Sequence, residues 1–281
     1  MDKIKLIALD LDGTTLEPNK TIAPDTLAAI QEAQAAGAEV VLVTGRSWRQ
    51  TQEYYEQLNL TGGAICYLGA LTVGGPEGQI QRYRPLAAEV WQELRQFALT
   101  HDLAFTACTA TDRAVAQGEL PSTDLVALDL AFAHKEAPDF IDWPGWNPYT
   151  EMDPGFIKVE DGPIMVAVYG DSAVRKVLDA YPNGLAGTSF DLTDRVREET
   201  VLHIFAEGVG KLPSLQRYAA EQGYTQAEIM ACGDNPMDLG MIQWARIGVA
   251  MPDGHPATLP LADWVCRPAE AIRRALAGER P

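Results

Sequence analysis

Residues 4–14 read Ile-Lys-Leu-Ile-Ala-Leu-Asp-Leu-Asp-Gly-Thr, a short apolar run that ends at two carboxylates, Asp10 and Asp12. An apolar run of this length, rich in Ile and Leu, predicts a buried β-strand. Ligand sites in open α/β sheets lie just beyond the carboxyl ends of such strands, and Gly13 lets the chain turn there. Two carboxylates so close together can bind a hard cation, or one can act as a nucleophile and the other as an acid/base. The alternative is an aspartate-rich turn that only caps the strand.

A second apolar run also ends in polar residues. Residues 40–43 predict another buried strand, which leads into Thr44, Gly45 and Arg46. Thr44 is equally consistent with a cap for the following helix. For Arg46, a surface salt bridge is an equal alternative to a place in a site.

The C-terminal third of the chain adds a lysine and two more aspartates. Lys211 begins a predicted amphipathic helix, where the helix macrodipole favours acids over bases, and this local conflict indicates a function. Asp234 follows a third apolar run, residues 229–232, and Asp238 lies four residues later. The alternative for Asp238 is a helix surface exposed to solvent.

These four motifs, in this order, resemble those of the haloacid dehalogenase-like hydrolases. The first motif lies almost at the N-terminus and a long insert separates the second from the third, as in the Cof-type branch, which has a large α/β cap and holds many sugar-phosphate phosphatases. The resemblance implies a doubly wound, parallel-sheet (Rossmann-like) α/β core formed by residues 1–83 and 208–281. Residues 84–207 would form the inserted α/β cap domain, in which the apolar runs 163–169 and 201–206 predict strands. The alternation of strands and helices before the insert predicts the same parallel core.

The resemblance also implies catalytic roles. Transfer of a phosphoryl group needs a nucleophile, a proton donor for the leaving oxygen, and cations that balance the charge on the transferred oxygens. Asp10 would attack phosphorus and form an aspartyl-phosphate, while Asp12 would protonate the leaving oxygen and then deprotonate water. The phosphate would be held by Thr44, Gly45 and Lys211.

The metal ion implied by the resemblance is Mg²⁺, which prefers a few carboxylates together with water and substrate oxygens. Its ligands would be Asp10, the backbone carbonyl of Asp12, Asp234, and Asp238 directly or through water. Arg46 and Asn235 are further candidates for lining the substrate site.

The chain departs from the family pattern at three places where an amide would contact phosphate, metal or leaving group. Leu68, Met237 and Asp253 stand where the family has asparagines. Leu and Met cannot donate hydrogen bonds to an anion, and the loss of one charge-assisted donor costs about 1.5–3 kcal/mol. Asn235, two residues before Met237, is a candidate to compensate. We therefore expect altered substrate selectivity or a modest rate rather than lost chemistry.

Composition narrows the class of partner. The formal net charge of −17 argues against nucleic acid, since that binding depends on Lys and Arg that neutralise phosphates. No apolar stretch approaches the roughly 20 residues that a membrane span needs. We expect no cleaved signal peptide either, because its removal would also remove Asp10 and Asp12. Scattered cysteines in apolar runs predict buried thiols in a reducing cytoplasm. We expect a cytoplasmic monomer or weak homodimer that acts on a small phosphorylated metabolite.

Three functions fit these observations. The first is a Mg²⁺-dependent phosphatase for a small, sugar-like phosphomonoester. The second is a sugar phosphomutase, which would release no inorganic phosphate. The third is a regulatory protein that binds a phosphate ligand and has weak or lost turnover. The loop that carries Trp143 and Trp146 could stack on a sugar, or its aromatic rings could only pack the loop onto its own domain.

Overall fold

The protein is described by a computed structural model, which covers residues 3–75, 78–108, 132–134, 162–196 and 199–281. It divides into two compact units, one formed by Met1–Gln81 and Lys211–Pro281 and the other by Arg82–Gly210. In the described parts of the chain, no helix is both long enough and apolar enough to cross a membrane.

The strands and helices are numbered in chain order. The strands are β1 Leu6–Leu9, β2 Glu39–Val43, β3 Gly63–Cys66, β4 Leu71–Gly74, β5 Gln79–Tyr83, β6 Phe105–Cys108, β7 Phe132–His134, β8 Met165–Tyr169, β9 Thr188–Val196, β10 Glu199–Ala206, β11 Ile229–Gly233, β12 Ile247–Ala250 and β13 Trp264–Val265. The helices are α1 Pro24–Ala35, α2 Trp48–Gln57, α3 Ala88–Thr100, α4 Asp171–Ala180, α5 Lys211–Glu221, α6 Leu239–Trp244 and α7 Pro268–Leu276.

The first unit is built on an eight-stranded sheet in the order β13-β12-β11-β1-β2-β3-β4-β5. Strand β1 lies near its centre and runs parallel to β11 and β2, with Leu9 opposite Cys232 and Leu42. The sheet is parallel from β13 to β3, and β4 then pairs antiparallel with β3. The predicted α/β fold with a mostly parallel central sheet is therefore confirmed.

The central strands are apolar because both of their faces are covered. Every residue of β1, β3 and β11 is buried, which is the usual environment of parallel strands in α/β proteins. Leu6, Ala8, Val41 and Ile65 pack on one face with Leu215 of α5. Since β1, β2 and β11 are adjacent and parallel, the residues that follow them meet at one edge of the sheet.

Helix α5 is tied to the sheet by a partly buried polar cluster around Glu39 at the start of β2. The Glu39 carboxylate accepts hydrogen bonds from the hydroxyls of Tyr218 and Tyr224, the latter at 2.8 Å. The Tyr218 oxygen also accepts the backbone N–H of Gly63 at 2.7 Å. These bonds join α5 to β2 and β3, and so fix the helix that begins at Lys211.

The second unit is a five-stranded sheet in the order β7-β6-β8-β10-β9, in which each observed pairing is antiparallel. One face packs against α3 and α4, with Trp91 and Leu94 of α3 and Val174 of α4 against Phe105 and Ile204. The strands predicted at 163–169 and 201–206 correspond to β8 and β10. The Trp143–Trp146 loop lies outside the described residues, and the role of the unit as a cap stays a prediction.

Replacement of Tyr218 by Phe tests the cluster that holds α5. The variant leaves the Gly63 N–H and one Glu39 oxygen without this partner, so we expect the free energy of unfolding to fall by about 1–3 kcal/mol in urea titrations. Tyr224→Phe removes a more exposed bond to the same carboxylate and should cost less. An equal loss in both variants would contradict the assignment of Tyr218 as the main tie.

The same cluster predicts a response to alkaline pH. Burial and the neighbouring Glu39 raise the pKa of Tyr218 above its ordinary value of about 10. The unfolded chain ionises this tyrosine first, so the stability of the native protein should fall as the pH rises above about 10. Urea titrations at rising pH should show a smaller decline for Tyr218→Phe than for the native chain.

Candidate active site

The buried ammonium group of Lys211, at the start of α5, binds two carboxylates that follow strands β1 and β11. Lys211 Nζ donates to Asp10 Oδ1 at 2.6 Å and to Asp238 Oδ1 at 2.7 Å. Asp10 and Lys211 are each 5% exposed, and Asp238 is fully buried. The alternative that Asp238 is solvated helix surface is therefore wrong.

Asp238 also organises the backbone of the loop after β11. Its Oδ2 accepts the backbone N–H groups of Asp234 and Asn235 at 3.2 and 3.1 Å. Asn235 in turn caps the 3₁₀ turn Pro236–Asp238, where its Oδ1 accepts the backbone N–H of Met237 at 3.3 Å. The side-chain oxygen of Asn235 thus stabilises the turn that positions Asp238 in the site.

Three carboxylates form a cluster with the dimensions of a cation site. Oxygens of Asp10, Asp234 and Asp238 all lie within 4.8 Å of one another. Three negative charges face the single ammonium of Lys211, and oxygen ligands of this kind suit a hard divalent cation. The donor set therefore fits a divalent metal ion, and the expected ligands Asp10, Asp234 and Asp238 lie together.

The pKa values of the cluster reflect its burial and mutual repulsion. Burial, together with the charges of Asp238 and Asp234, raises the pKa of Asp10, while Lys211 opposes the rise. Burial and Asp238 raise the pKa of Asp234 to about 6. The pKa of Lys211 is raised despite its burial, because Asp10 and Asp238 stabilise the ammonium form. A divalent cation would balance the remaining negative charge.

The loop after β1 is shaped to admit the Asp234 carboxylate. Gly13 has a φ of +78°, and a Cβ at this position would lie 2.4 Å from Asp234 Oδ2. Thr14 Oγ1 donates to Asp234 Oδ1 at 3.2 Å. Any side chain at residue 13 would therefore displace a carboxylate of the cluster.

Asp12 lies in a different electrostatic environment from Asp10. Arg46 Nε and Nη2 each donate to one oxygen of its carboxylate at 2.6 Å, and Lys20 Nζ donates to Oδ1 at 2.6 Å. Burial alone would raise the pKa of Asp12, but the hydrogen bonds and charge of Arg46, helped by Lys20, lower it below its usual value. Arg46 is only 6% exposed, so the alternative of a surface salt bridge is wrong.

Thr44 and Gly45 continue the chain after β2. Thr44 is buried, and its Oγ1 accepts the backbone N–H of Arg46 at 3.2 Å. Helix α2 is capped instead by Ser47, whose Oγ accepts the N–H of Gln50 at 3.2 Å. The alternative that Thr44 caps this helix is therefore wrong. A Cβ on Gly45 would lie 3.3 Å from the Leu68 side chain, so Leu68 packs beside this loop.

The three residues that stand in place of the family asparagines lie in different environments. Leu68 is buried in a 3₁₀ turn, Tyr67–Gly69, with the left-handed φ of 54° that asparagine tolerates better than leucine. Met237 is partly buried in the turn that precedes α6. Asp253 is exposed and pairs with Arg267 at 2.9 Å.

Sequence reasoning missed two side chains of the site. Thr14 is the last residue of the first motif, residues 4–14, and its position directly after Gly13 could have identified it as a site residue. Lys20 lies eight residues beyond Asp12 in a loop, where no periodicity relates the two. Both contacts depend on how the loop after β1 folds back.

The chain is similar to known proteins over nearly all of its length. A haloacid dehalogenase-like hydrolase family model matches residues 7–273. The 5-amino-6-(5-phospho-D-ribitylamino)uracil phosphatase YitU of Bacillus subtilis is 28% identical over 262 residues, 92% of this chain and 90% of its own. The solved structure of BT1666 from Bacteroides thetaiotaomicron, at 21% identity, has a TM-score of 0.69 and covers 98% of this chain and 94% of its own. That of the subclass IIB sugar phosphatase BT4131, at 18% identity, has a TM-score of 0.67 and covers 97% of both chains.

The chain belongs to the haloacid dehalogenase-like hydrolases. The two solved structures show the same fold, and the relative of known activity is a phosphatase. The predictions of the family with its Cof-type branch, and of the enzyme class of phosphoric monoester hydrolases, are therefore confirmed.

The raised pKa of Asp234 predicts how metal binding depends on pH. Because protons and a cation compete for Asp234 and for Asp10, whose pKa is also raised, Mg²⁺ affinity should weaken by at least about tenfold per pH unit as the pH falls below about 6. Calorimetric titration of the native protein with MgCl₂ at a series of pH values measures this. Asp25→Asn, which removes an exposed aspartate of α1, should follow the native curve, and a flat affinity across this range would contradict the carboxylate cluster as the metal site.

Proposed function

We propose that the protein is a Mg²⁺-dependent phosphatase that hydrolyses a small organic phosphomonoester, of the sugar-phosphate type, through an aspartyl-phosphate on Asp10. The observation that carries this proposal is the cluster of Asp10, Asp234 and Asp238, in which the Lys211 ammonium binds the buried carboxylates of Asp10 and Asp238. A relative that covers 92% of the chain acts on a compound whose phosphate is borne by a ribityl chain, which supports a sugar-like substrate.

In the first step, an oxygen of Asp10 would attack phosphorus as the bond to the leaving oxygen breaks. Lys211 holds the Asp10 carboxylate in place and supplies positive charge beside the transferred oxygens. Thr44, Gly45 and Lys211 would bind the phosphate. Asp12 would donate its proton to the leaving oxygen, so that a neutral alcohol departs.

In the second step, Asp12 would take a proton from water as that water attacks the phosphorus of the aspartyl-phosphate. The bond to the Asp10 oxygen breaks and inorganic phosphate leaves. Asp10 is then again a carboxylate, and Asp12 again carries the proton that the first step uses. Arg46 and Lys20 stabilise the carboxylate form of Asp12, which is the form that can accept this proton.

The metal ion would be Mg²⁺, held by Asp10, Asp234, the backbone carbonyl of Asp12 and Asp238, the last directly or through water. When bound, such an ion neutralises charge on the transferred phosphoryl oxygens. Asp238 also positions Lys211 and the Asp234 backbone, so its loss would disturb the site even if water separates it from the ion.

A screen of phosphorylated metabolites with the intact chain and Mg²⁺ tests the proposal. We expect inorganic phosphate to be released from a subset of small sugar phosphates. Isomerisation of a sugar phosphate without phosphate release would favour a phosphomutase. Binding of a phosphate ligand without turnover would favour a regulatory protein. This alternative is motivated by Leu68, Met237 and Asp253, which replace the three family asparagines.

Replacement of Asp10 by Asn tests the covalent step, since the amide is a poor nucleophile. We expect phosphate release to become undetectable while the thermal unfolding curve stays cooperative. Asp25→Asn is the matched control, because Asp25 is an exposed aspartate at the start of α1 that pairs with Arg273. Retention of more than about a tenth of the native rate by Asp10→Asn, a barrier change under about 1.4 kcal/mol, would contradict the mechanism.

Removal of the metal should abolish phosphate release, and added Mg²⁺ should restore it. Ca²⁺ should bind the same carboxylates yet inhibit, because its larger and looser coordination does not hold the in-line geometry. Assays of the chelator-treated protein with each ion measure this. Full activity in metal-free buffer would contradict Mg²⁺ as the cofactor.

A further inference from the structure

Two cations hold the carboxylate of Asp12. Arg46 is almost fully buried and binds both oxygens of the carboxylate, which fixes its plane. Lys20 adds a third bond to Oδ1 at 2.6 Å from the solvent side, where the side chains of Lys20 and Asp12 are 48% and 42% exposed. The carboxylate of the expected acid/base thus has a set orientation.

The backbone at Lys20 is fixed in an uncommon conformation. Its φ is +65°, in the left-handed region that non-glycine residues rarely occupy. The Lys20 N–H donates to the carbonyl of Glu17 at 2.8 Å, and the Lys20 carbonyl accepts the Tyr54 hydroxyl at 3.1 Å. A strained position that is tied down by a side chain from α2 is typical of functional loops.

Tyr54 connects the two cations. Its ring is buried and lies 5.0 Å from the Arg46 guanidinium carbon, a cation–π distance. The hydroxyl of the same ring holds the backbone of Lys20. Arg46, Tyr54 and Lys20 therefore form one connected frame around Asp12.

We infer that Lys20 is a positioning residue, which together with Arg46 and Tyr54 aims the Asp12 carboxyl at the leaving-group oxygen. This inference rests on the proposed function. An ordinary exposed ion pair contributes little and needs no fixed backbone. Here the lysine is held from its backbone as well as its side chain. Misplacement of a catalytic group by about 1 Å can cost up to about 100-fold in rate, so a frame of this kind has a measurable effect.

A comparison of substrates with different leaving groups distinguishes a role of Lys20 in positioning Asp12 from a general structural role of Lys20. Departure of an alkoxide needs a proton from Asp12, whereas 4-nitrophenolate leaves with little help. The value of kcat/KM contains only the steps up to leaving-group departure, so hydrolysis of the aspartyl-phosphate does not affect the comparison. The two probes are 4-nitrophenyl phosphate and the best alkyl substrate among ribose 5-phosphate, glucose 6-phosphate and glycerol 3-phosphate.

Lys20→Met keeps the length of the side chain and the strain of the backbone but removes the ammonium. We expect kcat/KM for the alkyl phosphate to fall about tenfold and that for 4-nitrophenyl phosphate to fall less than about twofold. Lys20→Arg should restore most of the alkyl activity. Tyr54→Phe should show the same selective loss to a smaller extent, and Asp12→Asn should show it most strongly.

Lys5→Met is the matched control, because Lys5 is a similarly exposed lysine paired with Glu228 in the same unit. It should leave both kcat/KM values unchanged. An equal fall for both substrates in Lys20→Met, or no fall for either, would overturn the positioning role while the proposed function stands. Absence of phosphate release from every probe with the native protein would overturn the proposed function and this inference with it.

Discussion

The candidate site depends on one buried ammonium group. Lys211 Nζ lies between carboxylates that follow two different strands, 2.6 Å from Asp10 and 2.7 Å from Asp238. A buried charge is tolerated only when it is paired and hydrogen-bonded, and buried carboxylates in turn need a cation nearby. The ends of β1 and β11 and the start of α5 must therefore be in place together, and the Glu39–Tyr218 cluster holds α5 where this pairing requires it.

Asp10 and Asp12 show how environment separates two carboxylates of one loop. Burial among other acids raises the pKa of Asp10, whereas the hydrogen bonds of Arg46 lower that of Asp12 against the effect of burial. Pairs of acids whose pKa values are shifted in opposite directions are typical of divided catalytic roles. Lys211 pairs with the Asp10 carboxylate, and Arg46 and Lys20 pair with that of Asp12.

The parallel core was predictable because its strands are buried on both faces. The runs 6–9, 40–43 and 229–232, which form most of β1, β2 and β11, are continuously apolar, and such runs predict buried strands directly. Strand β9, Thr188–Val196, was not predicted, because it lies at a sheet edge and mixes polar with apolar residues. Its pairing with β10 depends on tertiary contacts that no local pattern encodes.

The sequence alone indicated which side chains meet at the candidate site, because residues that follow adjacent parallel strands lie together at the carboxyl edge of the sheet. It determined the identity of Asp10, Asp12, Asp234 and Lys211 as candidates. Only the tertiary structure decided that Asp238 is buried rather than solvated and that Lys20 reaches Asp12. The physical reason is that side-chain direction and burial depend on partners far along the chain, such as Asp10 and Lys211, which are 201 residues apart.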